Sequence, residues 1–580
     1  MGEEMPRSRP VPGFPLTAVL SASYTTLGFE AGGLRGVVHS PMRRLVSPLR
    51  AYAETTPRSC DEPSNEAFEG LCGGGHGGRP RADGDTDHDR RGGCAAAYVA
   101  RGVLPRGQIF RPFPDDTGKI QSATAIQSLD GTNKFFDPSL GTNGQACVTC
   151  HQPDQAFTLN VDEIQAAFSS SGGSDPLFRL NDTADRPDAD PSAPDTFKLF
   201  REMGIIRIGR PVPAMADFNV EGQQSARFGT LPNPTDPQAP GKMTLSLFRR
   251  PLVNTNVRFD SAVLWDGRAS IADMRTQVKN AAKGLLLATT VLDADADDVA
   301  AFMLGVFTDQ VFDTSAGRMG AGNLAAAGAT SGVFNLLTLA SDPAAPCLLA
   351  VNATPPPSLV LTPLTPPTCT PIIPENPHTV TLFDAWENLP NEDGVNAGRA
   401  SIARGQELFN TVKLHVPADV QIPGLTGSVA HCVTCHATNN IGNNPDPTFF
   451  VRIGTDSIDI LTALAAQDSR VNGLLDRAKE LPEYCLRPTS DPTPFATSAC
   501  GKDPGDVKTT DPGRAMTTGK IADLGKFKPP ILRGLTARSP YFHAGVADGI
   551  DNLINFYDAR FNIGLTDRER EDLTAFLEAL

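Results

Sequence analysis

The stretch Cys147-Val148-Thr149-Cys150-His151 decides how the rest of the chain is interpreted, because residues 432–436 repeat the same five letters. Cys-x-x-Cys-His is the attachment motif of c-type haem, in which two thiols bind the porphyrin and the adjacent imidazole binds the iron. Residues three apart lie on one face of a helical turn, so both sulfurs reach one porphyrin edge. With 11 Cys and 9 His in 580 residues, chance alone gives ~0.003 such motifs per chain. The repeat therefore predicts two covalently bound haem c groups.

Two other chemistries use paired cysteines. A zinc site requires two further ligands nearby, and a thioredoxin-like redox pair does not need the histidine. The complete motif in both copies favours haem over these alternatives. The residues predicted to bind haem are Cys147, Cys150, His151, Cys432, Cys435 and His436, with the two histidines as iron ligands.

Length and composition limit the class of protein. A chain of 580 residues is long enough for two or three domains with their own cores. The longest apolar runs, such as residues 299–307, are far shorter than the roughly 20 residues that span a bilayer, so we expect no membrane-spanning segment. The formal net charge of −15 argues against a nucleic-acid partner and is compatible with a basic redox partner.

Cysteine usage indicates the cellular compartment. Haem is attached covalently outside the cytoplasm, where disulfides also persist, so we expect a periplasmic protein. Two pairs of cysteines are candidates for local disulfides, Cys347 with Cys369 and Cys485 with Cys500, although the sequence alone does not fix the pairing. The first thirty residues contain only an interrupted apolar stretch, so the leader is unusual or the start codon is misassigned.

The first hundred residues are not typical of a folded core. Residues 73–93 are almost entirely Gly, Arg, Asp and His, which bury too little apolar surface to offset chain entropy, so we predict disorder. Aspartates at every second position from 83 to 89 are spaced like those of a calcium loop, but the Gly and the terminal Glu of an EF-hand are missing. A solvated polar loop is the preferred interpretation. Residues 169–240, rich in Pro, Asp, Gly and Ser, are predicted to form a long covering loop.

The remaining sequence contains helical patterns and a repeated order of motifs. Thr566 is a good N-cap for a final helix, with Glu569 completing a capping box. The second half of the sequence repeats the order of three features of the first half. Residues 530–532 correspond to 251–253, residues 541–545 correspond to 265–267, and a predicted helix follows in each half. This order predicts two modules related by duplication, with an insertion between them. Apolar periodicity predicts helices over residues 162–168, 271–287, 297–312, 400–409, 550–556 and 567–580.

Several motifs together resemble the bacterial di-haem cytochrome c peroxidase family, which includes the MauG-type enzymes. They are residues 136–140, 143–146, 264–269 (Leu-Trp-Asp-Gly-Arg-Ala), 525–530 with Leu532 and Arg533, and 540–545 (Pro-Tyr-Phe-His-Ala-Gly). The resemblance implies a mainly α fold with two cytochrome c-like haem modules, long loops and an insertion. On this basis we expect a low-complexity region over residues 1–103, a peroxidatic module over 104–290, an insertion over 291–399 and an electron-transfer module over 400–580.

The resemblance also implies roles for single residues. In the family the N-terminal haem binds peroxide, the C-terminal haem carries electrons, and a tryptophan lies between them. Trp265 corresponds to that tryptophan; without the motif it would be interpreted as a core aromatic. His543 resembles a family histidine near the peroxidatic haem, where it would donate to a propionate. Gln277 lies where the family places acid/base residues, but residues 274–290 contain no Asp or Glu, which puts efficient peroxidase turnover in doubt.

The two irons are expected to differ in their axial ligands. A haem that reacts with peroxide requires one open axial position. No His lies between His151 and Trp265, so we expect the first iron to be open or to be held only by a Met. The candidate residues for that ligand are Met203, Met215 and Met243.

The second iron is expected to have protein ligands on both faces. Tyr557 lies at the helix position where MauG-type enzymes have a Tyr ligand and peroxidases have a Met. The alternative is a packed Tyr557 with water or Met516, the single Met after Cys435, as the ligand.

The family also holds a calcium ion between its modules, partly through an Asn before a Pro-rich strand. Arg249 and Arg250 occupy that neighbourhood here. Two alternatives therefore remain: a guanidinium takes the place of the cation, or a calcium ion is bound. The resemblance as a whole implies a periplasmic oxidoreductase that uses hydrogen peroxide or oxygen, with a small cytochrome c or cupredoxin as electron donor. The alternatives are MauG-like oxidation of an organic or protein substrate and an electron-transfer cytochrome without chemistry of its own.

Overall fold

The protein is represented by a computed structural model that describes residues 112–124, 133–222, 226–319, 336, 378–390, 392–491, 500 and 505–580. The described residues all fall within one unit, Pro63–Leu580. The predicted disordered stretch 73–93, the aspartates within it and the candidate pair Cys347 and Cys369 lie outside the described residues. The second candidate pair is confirmed, because Cys485 and Cys500 form a disulfide with their Cα atoms 5.8 Å apart.

Some of the α-helices begin after a residue whose side chain accepts from a free backbone N–H group. Asn160 accepts from Glu163 N at 3.0 Å before α2, and Thr566 and Glu569 form the predicted capping box of α12. None of the described helices is long and apolar enough to cross a membrane. In chain order they are α1 (Cys147–Cys150), α2 (Val161–Ser171), α3 (Lys198–Met203), α4 (Met274–Gly284), α5 (Asp293–Gly305), α6 (Val395–Thr411), α7 (Cys432–Cys435), α8 (Ile458–Gln467), α9 (Asn472–Ala478), α10 (Ala515–Thr518), α11 (Ile550–Phe561) and α12 (Asp567–Glu578).

Short antiparallel strands connect distant parts of the chain. They are β1 (Phe113–Pro114), β2 (Gly118–Thr124), β3 (Ile206–Pro211), β4 (Phe218–Gly222), β5 (Thr244–Arg249), β6 (Val306–Asp313), β7 (Gly317–Arg318), β8 (Leu414–His415), β9 (Val429–Ala430), β10 (Tyr484–Pro488) and β11 (Val507–Thr509). One sheet has the order β1-β2-β6-β7, a second has β11-β10-β4, and β3-β5 and β8-β9 form pairs. In the second sheet Leu486 lies opposite Val220, so this sheet joins residues of the two predicted modules.

Most predicted helices are present, with different ends. The patterns at 162–168, 271–287, 400–409, 550–556 and 567–580 correspond to α2, α4, α6, α11 and α12. The helix predicted over 297–312 is wrong in its second half, because α5 ends at Gly305 and the chain continues as β6. β6 pairs with β2, with Val306 opposite Thr124, and this pairing outweighs the helical pattern.

The covering loop predicted over residues 169–240 is also wrong in part. It contains α3, β3 and β4 between turns. β3 pairs along its whole length with β5, in which all six residues are buried. The Pro and Asp residues that suggested a loop belong to the turns, and the short strands gain their stability from partners that are distant in sequence.

The two ends of the second predicted module pack against each other. A Cβ on Gly405 of α6 would overlap the backbone oxygen of Asp572 in α12, so a larger residue does not fit at this crossing. Arg404 donates to the Asp572 carboxylate at 2.8 Å. Phe409 of α6 places its ring 6.0 Å from that of His436, so this packing also forms one wall beside the second motif. The mainly α, two-module organisation and its boundaries stay predictions.

Candidate functional site

The two Cys-x-x-Cys-His segments have the same backbone geometry. In each segment the cysteines are the ends of a one-turn helix, α1 or α7, and the histidine follows as its C-cap. His151 N donates to Cys147 O at 3.1 Å, and His436 N donates to Cys432 O at 3.0 Å. In each turn the threonine hydroxyl accepts from the backbone N–H three residues earlier, at 2.9 Å. Both segments thus place two thiols and an imidazole on one helical turn.

Each imidazole is held by a backbone carbonyl six residues further along the chain. His151 Nδ1 lies 2.9 Å from Phe157 O, and His436 Nδ1 makes the corresponding short contact with Gly442 O. A carbonyl only accepts, so Nδ1 carries the proton and Nε2 keeps its lone pair. Burial lowers the pKa of both rings to about 4, so both are neutral at pH 7. A neutral imidazole with a free Nε2 is the form that binds a metal.

The thiols lie in apolar surroundings that suit thioethers. Burial raises the pKa of Cys147, Cys432 and Cys435 to about 12, and it raises the pKa of Cys150 further. Such thiols are poor redox nucleophiles, because that role needs the thiolate. In the part of the chain that the structure describes, no cluster of potential zinc ligands adjoins these cysteines. The residues present therefore fit covalent haem better than zinc or disulfide exchange.

Trp265 and His543 occupy equivalent places in two loops of the same shape, residues 263–269 and 541–547. In each loop the first residue donates its N–H to the carbonyl of the last, at 2.9 and 2.6 Å. The second residue has a positive φ, 69° at Leu264 and 64° at Phe542, and the third is Trp265 or His543. The two rings are 6.5 Å apart between centroids. The repeated motifs of the sequence thus meet in space.

Trp265 is half-buried and fixed by contacts from both parts of the chain. Its indole N–H donates to Arg250 O at 3.0 Å, and its carbonyl accepts from Lys528 N at 3.0 Å. The neighbouring carbonyl of Asp266 accepts from Arg514 Nη1 at 3.1 Å. These contacts place the ring at a junction between residues around 250 and residues 514–543.

His543 is buried and has one nitrogen without a partner. Its ring stacks on Phe527 at 3.9 Å between centroids, and its Nδ1 lies 3.5 Å from Thr455 Oγ1. Nε2 has no hydrogen-bond partner within the described residues. A buried polar atom without a partner is costly, so this nitrogen fits an acceptor that is not part of the chain, such as a haem propionate.

The two candidate ligands of the second iron differ in their surroundings. Tyr557 of α11 packs against the same apolar cluster as Cys432 and Cys435. Burial and these two cysteines raise the pKa of the Tyr557 phenol well above its usual value. Met516 is buried in the large central cluster, which touches Cys432 but not Cys435 among the described residues. The geometry therefore brings Tyr557, more closely than Met516, to the second motif.

The residues named for the first iron are spread apart. Met215 and Met243 are 92% and 52% exposed, and Met203 is buried in the large central cluster. Two described apolar clusters lie beside the first motif, one against Cys147 and one against Cys150, and neither contains any of these three methionines. The cluster beside Cys147 contains Met274 and Met303 instead. Gln277 is half-buried beside the buried face of α4, which is formed by other residues.

Arg249 lies buried between two carboxylates. Its Nε donates to Asp511 at 2.6 Å and its Nη1 to Asp266 at 2.8 Å, while Arg268 donates to Asp266 at 2.8 Å. Burial alone would raise the pKa of Asp266, but Arg268 and Arg249 hold it well below its usual range, so the carboxylate stays ionised. A permanently charged guanidinium between these acids supports the alternative in which it replaces the family's calcium.

Sequence reasoning missed a buried polar pair near Cys150. Asp182 and Gln145 are 3% and 1% exposed, and the Gln145 amide faces the Asp182 carboxyl. Asp182 stands in the stretch that was predicted to be a loop, and Gln145 stands two residues before the motif. No local pattern connects them, because the fold alone brings them together.

Known proteins resemble short parts of this chain. No family model matches it. The cytochrome-c peroxidases IdrP1 and IdrP2 of Denitromonas iodatirespirans are each 36% identical to it, over 81 and 78 residues, which is 12% of this chain and 22% and 21% of the relatives. IdrP1 of Pseudomonas sp. (strain SCT) is 35% identical over 81 residues, 12% of this chain and 21% of the relative. The chain thus matches about a fifth of the length of each relative, and over that length it is similar to cytochrome-c peroxidases.

Replacement of Arg249 by Ala should strongly destabilise the protein, because it leaves Asp266 and Asp511 buried without their shared counter-charge. We expect the free energy of unfolding, measured by urea denaturation, to fall by about 3–5 kcal/mol. The control is Arg275→Ala, which breaks an exposed ion pair with Asp297 and should change this free energy much less. Equal losses in the two variants would contradict a structural role for the buried guanidinium.

Proposed function

We propose that this protein is a periplasmic di-haem c-type oxidoreductase of the peroxidase kind. Hydrogen peroxide reacts at a first haem bound by residues 147–151, and electrons reach that haem through a second one bound by residues 432–436. Similarity to cytochrome-c peroxidases over short segments supports the reaction class. The number of haem groups rests on the two motifs.

The observation that carries the proposal is the repeated anchoring of the imidazoles. Both histidines follow the same one-turn helix, and both direct Nδ1 to a carbonyl six residues on. An anchored Nδ1 fixes the ring plane and leaves Nε2 directed away from the chain. A pair of cysteines that exchanges disulfides does not need an anchored histidine. It also does not need a second copy of the motif.

At the first site the chain's own residues would hold and orient the haem. When bound, haem c supplies an iron that reacts with peroxide and a ring system through which electrons pass. His151 would bind the iron, and no His is available from the following segment up to Trp265. The exposed positions of Met215 and Met243 support an open second face. His543 Nε2 donates to a propionate, and Trp265, fixed through its indole N–H, lies between the two sites.

At the second site Tyr557 is the preferred partner of His436. Tyr557 packs against the same apolar cluster as both thiols, and a phenolate bound to iron favours the ferric and higher states. Water or Met516 is the alternative ligand, with Tyr557 as a packed residue. A Tyr ligand also favours the variant in which an organic or protein substrate is oxidised in the MauG manner.

The proposed organisation is mainly α with two cytochrome c-like modules, residues 104–290 and 400–580, and an insertion over 291–399. The equivalent turns at 147–151 and 432–436, and the equivalent loops at 263–269 and 541–547, support a duplication. The disulfide Cys485–Cys500 supports an oxidising compartment and hence the periplasm. A small cytochrome c or cupredoxin is the proposed electron donor.

The competing function is electron transfer without chemistry, favoured by the absence of Asp and Glu from residues 274–290. Stopped-flow spectroscopy with hydrogen peroxide separates the two. We expect peroxide to change the high-spin bands of the first haem and to be consumed in proportion to the protein, because an open iron binds it. Cyanide added first should block this change by occupying the open position. A ferric spectrum that peroxide leaves untouched would rule out the peroxidase proposal.

Replacement of Tyr557 by Phe removes the proposed ligand of the second iron. We expect the low-spin ferric spectrum to change and the reduction potential of that haem to rise, because the phenolate stabilises the ferric state. Absorbance spectra recorded during a redox titration measure both the low-spin spectrum and the reduction potential. The control is Tyr484→Phe, a buried Tyr whose hydroxyl donates to Ser246 O at 2.7 Å, which should leave both haem spectra as they are. An unchanged second haem in the Tyr557 variant would show that another ligand is bound.

A further inference from the structure

Arg250 is 4% exposed, and its guanidinium is bound by backbone carbonyls instead of carboxylates. Its Nη1 donates to Gly204 O at 2.6 Å, and its Nη2 donates to Leu159 O and, at 3.2 Å, to Ser539 O. In the described part of the chain Arg250 forms no ion pair, whereas the adjacent Arg249 bonds to two carboxylates. Burial lowers the pKa of Arg250 to about 9, so the group stays cationic at neutral pH.

The fold makes room for this guanidinium. Gly204 ends α3 with a positive φ of 58°, and a Cβ at this position would overlap Nη1 of Arg250. A planar guanidinium has its donors in fixed directions, so it holds carbonyls from separate segments at fixed places relative to one another. A lysine ammonium carries the same charge without that geometry. A buried cation without a counter-ion is costly, which favours a role beyond packing.

The backbone of Arg250 holds the two loops that carry Trp265 and His543. Arg250 N donates to His543 O at 2.6 Å, and Arg250 O accepts from the Trp265 indole N–H at 3.0 Å. The side chain reaches Ser539 O and Arg538 O, which lie just before the His543 loop, at 3.2 and 3.4 Å. One residue therefore bonds directly to both loops.

The segment that begins with Arg250 also bonds to the anchor of the first imidazole. The contacts between residues 250–254 and 157–159 are Asn254 N to Phe157 O at 2.9 Å, Thr158 Oγ1 to Pro251 O at 2.7 Å, and Arg250 Nη2 to Leu159 O. Phe157 O is also the acceptor of His151 Nδ1. Arg250 thus connects Trp265 and His543 to the segment that orients the first motif histidine.

We propose that Arg250 is a positioning residue that holds Trp265 at a fixed place relative to the first haem and so sets the rate at which electrons reach that haem. This inference rests on the proposed function. Reduction of one hydrogen peroxide to two waters takes two electrons and two protons. The electrons pass one at a time from the second haem, past Trp265, to the first, and the electron donor replaces them, while the protons come from solvent. Arg250 contacts neither the iron nor the peroxide and acts through Trp265.

The test uses Arg250→Lys, which keeps the charge but loses the planar set of donors. Reduced protein is mixed with increasing concentrations of hydrogen peroxide, and the oxidation of the second haem is followed by stopped-flow absorbance. At saturating peroxide electron transfer limits this rate, and we expect it to fall at least about tenfold, because a small displacement of Trp265 is enough for such a loss. The rate constant at low peroxide should stay unchanged, because Asn254 and Thr158 still hold the imidazole anchor.

The matched control is Arg207→Lys. Arg207 is an equally buried arginine of β3 that bonds to Asp236 and to Asn181 O and, within the described residues, to neither loop. This variant should have a lower melting temperature and an unchanged rate at saturating peroxide. The ferric spectra and reduction potentials of every variant show whether the two haem groups themselves have changed.

Free guanidinium provides a second measurement. In Arg250→Ala the carbonyls of Leu159, Gly204 and Ser539 lose their donor, and the free ion fits the space that the side chain leaves. We expect millimolar guanidinium chloride to raise both the melting temperature and the saturating rate of this variant, relative to the same concentration of sodium chloride, and to raise neither in the wild type. If the Lys variant does not hold both haem groups, the saturating rate is measured on the Ala variant in guanidinium and again after the ion is removed.

The outcomes separate this inference from the proposed function. A variant of Arg250 that holds both haem groups without guanidinium and keeps the saturating rate of the wild type overturns the role of Arg250, and the proposed function stands. If peroxide does not oxidise the second haem of the wild type, the proposed function is overturned and this inference with it.

Discussion

The hydrogen bond from each motif histidine to a carbonyl six residues further on is the constraint on which both sites depend. At each site it uses one backbone carbonyl as the acceptor, and it fixes the tautomer and the ring plane of the imidazole. The turn that follows each motif must therefore return to the imidazole, and this brings Phe157 and Gly442 beside the two rings. A haem attached at the thiols then meets an imidazole that is already oriented.

A second set of contacts fixes the loop that carries Trp265. Arg249 ties Asp266 to Asp511, and the Trp265 backbone is bonded to Lys528, so the loop that carries Trp265 is held by residues from the far end of the chain. The equivalent loop contributes His543 to the same place. Charge is neutralised here by guanidinium groups, which are always protonated and bind carboxylates in fixed geometry.

Local features were predictable from the sequence, and features that depend on tertiary pairing were not. The motif turns and the capping box before Asp567 follow from contacts within a few residues, so spacing and residue type reveal them. β3 and β6 depend on partners that are distant in sequence, such as Thr124 opposite Val306, and their short patterns resemble a loop or a helix. The pair of Asp182 and Gln145 has no local signature, because the Leu285 carbonyl joins only their neighbours Asn181 and Asn143.

The proposed function requires two tethered haem groups that differ, one with a vacant axial position and one without. Electron paramagnetic resonance of the resting ferric protein at low temperature distinguishes these two states of the iron. We expect one high-spin signal and one low-spin signal, each integrating to one iron per chain. Two low-spin signals, or a protein that carries no covalent haem at one of the motifs, would contradict it.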